Sequence, residues 1–222
     1  MPKRLSAALA GIIIYLGIPL GTWGVGDVSR FMQHPARVNY LLVTVLTLIL
    51  VVAFVPNAGL SRKEGTTVVA RQRIALLGLQ FFPLGIMIIA PWSDSVGWGV
   101  FGNDAVRYAG VVLYAAGMFI MNWSIVFLGR YFSVQVTLQR DHRLVTEGPY
   151  RYVRHPRYAG ILFCFLGIAL LFRSAASLGL EMLLVLTLLW RVRDEEALMA
   201  SAFPGEWPGY ARKTARLIPG IY

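Results

Sequence analysis

Charge is scarce in this chain: 14% of its 222 residues are charged, and its 11 acidic residues face 21 basic ones. With 57% hydrophobic residues, so little charge cannot cover the surface of one or two water-soluble domains, and a soluble globular class is excluded. Cysteine is nearly absent. Cys164 is the only one and lies in an apolar run, which excludes an intrachain disulfide and a cysteine-rich metal site and leaves the thiol a packing role. Of three histidines, His34 is expected on the far side of the membrane from His142 and His155, so no histidine-rich metal site is expected either. No glycine-rich cofactor loop follows a strand-like segment, which argues against a Rossmann-like domain. The apolar run after Met1-Pro2-Lys3-Arg4 lacks a small-residue cleavage pattern and continues through Tyr15, Pro19 and Trp23. It reads as a retained first span.

What the chain has in quantity is long apolar runs. Those over 5–25, 40–55, 74–91 and 105–128 are long enough to cross or nearly cross about 30 Å of hydrocarbon. Two shorter runs, 159–172 and 175–190, are separated by Arg173-Ser174 and read as a tight helical hairpin. The expectation is an all-α, polytopic membrane bundle of about six crossings; the alternative is a re-entrant last hairpin, and both return the chain to the same side. The basic residues divide 17 to 4 across this arrangement, the minority being Arg30, Arg37, Arg107 and Arg173. That puts both termini and the central loop in the cytoplasm. The net charge of +10 is interrupted by apolar runs instead of forming one face, so no nucleic-acid partner is expected.

Within the spans, Pro83 is expected to kink its helix, and Gly78 and Gly85 to admit a close neighbour. Trp92, Asp94 and Trp98 read as an outer aromatic belt. His34-Pro35 reads as a helix-breaking turn, and Glu181 as a boundary carboxylate near Arg173.

One stretch gathers polar chemistry. Gly148 to Gly160 contains three arginines, a histidine, three tyrosines and two prolines and runs directly into an apolar segment. Pro149 and Pro156 keep the backbone irregular, with amides and carbonyls available to a ligand. The plainer alternative is a positive-inside loop. The tail weighs against it: Arg191 and Glu195 are four apart on one helical face, and Asp194 and Glu196 flank Glu195. Phe203, Trp207 and Tyr210 could fold back as a lid, with turns at Pro204-Gly205 and Pro208-Gly209.

The ordered set Gln135, His142-Arg143-Leu144-Val145, Tyr150, Arg154-His155-Pro156-Arg157-Tyr158-Ala159-Gly160, Arg191, Glu195, Phe203 and Tyr210 resembles the isoprenylcysteine carboxyl methyltransferase family and its phospholipid-methylating relatives. The resemblance covers about 129–222. Together with the apolar runs it divides the chain into four amino-terminal transmembrane helices (1–128) and a methyltransferase core (129–222). It also implies the cofactor S-adenosyl-L-methionine, held by Gln135, His142, Arg143, Leu144, Val145, Tyr150, His155, Pro156, Arg157, Tyr158 and Glu195. Arg191 matches a substrate residue, and Arg191 and Glu195 are the expected catalytic pair. Partners would be the bilayer and a lipophilic or small methyl acceptor, an isoprenylcysteine carboxylate being favoured over a phospholipid, amine or thiol. The site would face the cytoplasm from the inner membrane of a prokaryote or the endoplasmic reticulum of a eukaryote. Two non-enzyme readings remain, a lipid-binding scaffold and a transporter. The first has no use for an Arg191/Glu195 pair beside His155, and the second expects polar, discontinuous helices at mid-membrane.

Overall fold

The computed structural model describes residues 9–54, 72–129 and 144–222, side chains of 72 and 73 excepted. Gln135, His142 and Arg143 lie outside the described residues. Six apolar helices dominate: α1 (Leu9–Met32), α2 (Pro35–Phe54), α3 (Gln72–Val96), α4 (Asp104–Leu128), α5 (Pro156–Leu171) and α6 (Ala175–Ala202). All but α5 are long and apolar enough to cross a membrane. A short amphipathic helix, α7 (Trp207–Lys213), follows. Among the described residues, β structure is limited to isolated bridges joining Val100 to Ser174 and Val153 to Ala215.

The most extensive packing is between the antiparallel helices α4 and α5, and its cause is four glycines. Gly110 and Gly117 on α4 face Gly167 and Gly160 on α5. A Cβ at Gly110 would lie 2.3 Å from the backbone nitrogen of Leu171, and one at Gly117 would lie 2.4 Å from that of Cys164. The two backbones are therefore in contact, an approach only glycine allows. Gly78 and Gly85 act more gently between α3 and α6, where a Cβ would meet the side chains of Thr187 and Leu180 at 2.9 Å. Pro83 and Pro91 both lie inside α3. Cys164 is fully buried.

The hairpin between α5 and α6 closes with a Schellman pattern: Ser174 N–H donates to the Ala169 carbonyl at 2.9 Å and Arg173 N–H to that of Leu170 at 3.0 Å. Arg173 takes the left-handed position, φ 53°, that usually belongs to glycine. Its side chain accounts for the choice, reaching the Gly102 carbonyl at 3.2 Å and Asp94 at 3.8 Å.

Asp94 is the centre of a buried ionic knot at this end of the bundle. Arg107 Nη1 and Nη2 donate to its two oxygens at 2.8 and 2.5 Å, and Arg37 Nε and Nη2 donate to Oδ2 at 3.1 and 2.9 Å. The Arg37 guanidinium also lies 4.0 Å over the Trp23 ring. The arginines expected as the outer remainder of a charge count thus include three that converge on one carboxylate. Trp92 and Trp98 stand exposed beside it, 5.7 Å apart. His34 caps α2, its Nδ1 accepting from Ala36 N–H at 3.2 Å. Glu181 is not paired with Arg173: Arg173 turns to Asp94, and Glu181 Oε2 is buried with no hydrogen bond among the described residues.

Candidate active site

At the other end of α5, Pro156 occupies the first helical position and holds His155 outside the helix at φ −124°, ψ 57°. His155 therefore stands at the helix entrance, and Tyr158, one turn on, comes beneath it. The two rings stack with centroids 5.6 Å apart and planes 9° from parallel.

Helix α6 supplies the facing groups. Arg191 and Glu195 share a face, and Tyr158 Oη joins them, accepting from Arg191 Nε at 2.6 Å and donating to Glu195 Oε1. Arg191 Nε is also 3.2 Å from Glu195 Oε1. Arg191 is 1% exposed, so its charge depends on these partners and on the ring of Tyr158, 5.8 Å away.

Glu196, one residue further, points away from this triad toward the loop and tail. Its Oε1 accepts from Arg154 Nε at 2.7 Å and its Oε2 from Arg216 Nε at 2.8 Å. His155 lies between the two carboxylates, Nδ1 3.4 Å from Glu195 and Nε2 3.5 Å from Glu196. Arg154 also donates to the carbonyls of Ala211, at 2.7 Å, and Thr214. The tail folds back alongside: Arg154 N–H donates to Ala215 O at 2.8 Å, His155 N–H to Arg216 O at 3.0 Å, and Ala215 N–H to Tyr152 O at 3.1 Å. Tyr210 Oη donates to Tyr150 O at 2.8 Å. Arg154, Arg191, Arg216 and His155 thus surround two carboxylates. The site carries a cationic excess that suits an anionic group.

Burial opposes charge on His155, but the carboxylates of Glu195 and Glu196 outweigh it and raise its pKa above the ordinary 6.5. With the folded pKa raised, the native state binds this proton more tightly than the unfolded chain. The resulting stability is present in full below 6.5 and is lost as pH rises through the folded pKa. The thermal midpoint of the detergent-purified protein should therefore fall across that interval, and His155→Gln should flatten the slope. An equally steep fall in the variant would assign it to another group.

The structure gathers most of the expected residues. His155, Tyr158, Arg191 and Glu195 form one contact network, and Pro156 shapes it. Tyr150 is buried, and its carbonyl holds the tail. Leu144 and Val145 line a cavity of about 320 Å³ with Phe127 and Leu128 at the end of α4. Gly148 brings this turn against α4: its φ is +59°, and a Cβ there would lie 2.5 Å from the Phe127 ring. Arg157 is half-buried at the first turn of α5.

Sequence reasoning gave no binding role to Arg154, Glu196 or Arg216. The first two adjoin assigned residues, whereas nothing in the spacing singles out Arg216. The turn at Pro204-Gly205 is present, but Pro208-Gly209 begins α7, proline being tolerated in a first helical turn.

Residues 110–201 match the family model described as isoprenylcysteine carboxyl methyltransferase (ICMT) family. A probable protein-S-isoprenylcysteine O-methyltransferase of Oryza sativa subsp. indica is 29% identical over 119 residues, 52% of this chain and 62% of the relative. The protein-S-isoprenylcysteine O-methyltransferase of Schizosaccharomyces pombe is 36% identical over 112 residues, 47% of this chain and 46% of its own. The cobalt-zinc-cadmium resistance protein CzcN of Cupriavidus metallidurans is 33% identical over 101 residues, 44% of this chain and 46% of its own. The chain thus spans about half the length of the curated relatives it matches. A solved structure of a eukaryotic intramembrane Ras methyltransferase, ICMT, aligns over 97% of this chain and 98% of its own at 14% identity, with a TM-score of 0.49, too distant for its geometry to be carried over. Over residues 110–201, this chain is similar to the isoprenylcysteine carboxyl methyltransferase family.

Proposed function

We propose that this is an integral membrane methyltransferase that uses S-adenosyl-L-methionine to methylate the carboxylate of a lipophilic, isoprenylcysteine-like acceptor. The observation that carries this reading is the buried Arg191, held by Tyr158 and Glu195 in the family-matched segment, beside the polar loop and tail.

The residues fit the cofactor. His155, whose buried Nε2 faces Glu196 at 3.5 Å and makes no hydrogen bond among the described residues, and Arg154 offer cationic partners for its carboxylate. Glu195 offers a partner for its ammonium, and Leu144, Val145 and Phe127 an apolar wall for its adenine. When bound, S-adenosylmethionine supplies an electrophilic methyl group on its sulfonium. The protein's own contribution is alignment and exclusion of water. An ionised carboxylate needs no general base, so Arg191 has only to hold the acceptor anion. An amine or thiol acceptor would have to lose a proton, for which Glu195, Glu196 or His155 would serve. The basic-residue division supports a site open to the cytoplasm, where the soluble donor is supplied.

The test uses purified protein in lipid nanodiscs with methyl-labelled S-adenosylmethionine and either a small S-prenylcysteine or phosphatidylethanolamine. Label in a base-labile ester of the prenylcysteine is expected. Label on the amine lipid alone would remove the carboxylate reading, and absence of donor binding would remove the methyltransferase reading.

A further inference from the structure

The clamp around Glu196 is built more strongly than a helix end requires. An exposed ion pair is worth little, but here the Glu196 side chain is 13% exposed and that of Arg154 is 9% exposed, while that of Arg216 is 39% exposed. Each carboxylate oxygen takes its own guanidinium at hydrogen-bond distance. The two arginines come from opposite sides, Arg154 from the loop entering α5 and Arg216 from the tail. Three backbone hydrogen bonds run parallel to this clamp between 152–155 and 215–216. His155 then touches both carboxylates, so the position of the tail bears on the half of the site that holds Arg191.

We infer that Glu196 is a positioning residue, which pins the carboxyl-terminal segment 207–216 as a strap across the loop 150–155 and, through His155, fixes the Arg191–Tyr158–Glu195 network. The inference rests on the methyl-transfer reading for the identity of the ligand, but the clamp is tested without it. Without the Glu196 charge, Arg154 and Arg216 face each other as uncompensated cations. Arg154 keeps its carbonyl contacts to Ala211 and Thr214, so the loss falls on the Arg216 side.

Arg212 and Lys213 are exposed at the end of α7 and make the strap readable by trypsin. In Glu196→Gln, cleavage after Arg212 and Lys213 should be about threefold to tenfold faster than in the parent, the lost contact to the part-exposed Arg216 being weakened by solvent screening. Donor affinity should weaken by a similar factor, with the KM for donor raised and that for acceptor within about twofold. Arg216→Ala should reproduce both effects and Arg216→Lys should restore most of each, which a general loss of folding would not do. Arg216→Ala also stands in if Glu196→Gln fails to fold. An unchanged tryptic rate in folded Glu196→Gln overturns the clamp. A loosened tail with unchanged donor affinity overturns the positioning role. If the parent protein binds no S-adenosylmethionine, the functional reading fails, while the tryptic comparison still decides the strap.

Discussion

Asp94→Asn is expected to destabilise the protein by about 3–5 kcal/mol, the cost of breaking a buried ion pair by removing one partner. The carboxylate is 2% exposed, and the side chains of Arg107 and Arg37 that bind it are 4% and 10% exposed. Asparagine keeps the shape but offers one weak acceptor where two guanidiniums now share two charged oxygens. Among the described residues, Arg37 would remain buried without an anion, and Arg107 would keep only that of the exposed Asp104, 3.6 Å from its Nε. The loss should appear as a lower thermal midpoint or aggregation of the purified protein. The triple replacement Asp94→Leu, Arg37→Met, Arg107→Met should recover much of the stability, because a well-packed apolar substitute for a buried ionic cluster is often neutral. An unchanged midpoint in Asp94→Asn alone would show that the arginines do not depend on this carboxylate.

Arg191→Ala is expected to lower methyl transfer by about tenfold to a thousandfold, the range for losing a charge-assisted contact made in the transition state. Its donor affinity should stay within a few-fold, because Glu195 retains Tyr158 and His155 as partners. The alanine also leaves a cavity and one cation fewer beside two carboxylates, so some loss of stability accompanies it. Arg191→Lys separates the two effects. Lysine preserves the charge but presents a point donor where the guanidinium fork reaches Tyr158 and Glu195 together. The lysine variant should fold with a midpoint near that of the parent and still lose about tenfold or more in kcat. Full transfer by a folded Arg191→Ala protein would remove the anionic acceptor, and equal loss of donor affinity would move Arg191 into the cofactor pocket.

The sequence makes the helices legible because hydrocarbon imposes a length and composition that no other segment shares. It makes the candidate cluster legible because Pro156, Tyr158, Arg191 and Glu195 occupy fixed helical positions, with His155 just before the first, once α5 and α6 are antiparallel. The ionic knot is a different case. Arg37, Arg107 and Arg173 look alike as positive charges flanking apolar runs, and only the fold brings residues so far apart in the chain to one carboxylate. The α4–α5 glycines were visible but indistinguishable from other small residues until a partner backbone stood against them. The role of Arg216 depends on the tail's direction after α7, which local propensity does not encode.

The shortness of α5 sets how far the polar cluster stands from the hairpin. Its 16 residues rise about 24 Å at 1.5 Å per residue, against about 30 Å of hydrocarbon. Arg191, sixteen residues beyond Ala175 on α6, also stands about 24 Å from the hairpin. His155 and Arg191 therefore stand at a similar distance from the hairpin, while the 28 residues of α6 carry on past Arg191. On the proposed reading, a lipophilic acceptor and the soluble donor would meet at this level, one helix length from the hairpin.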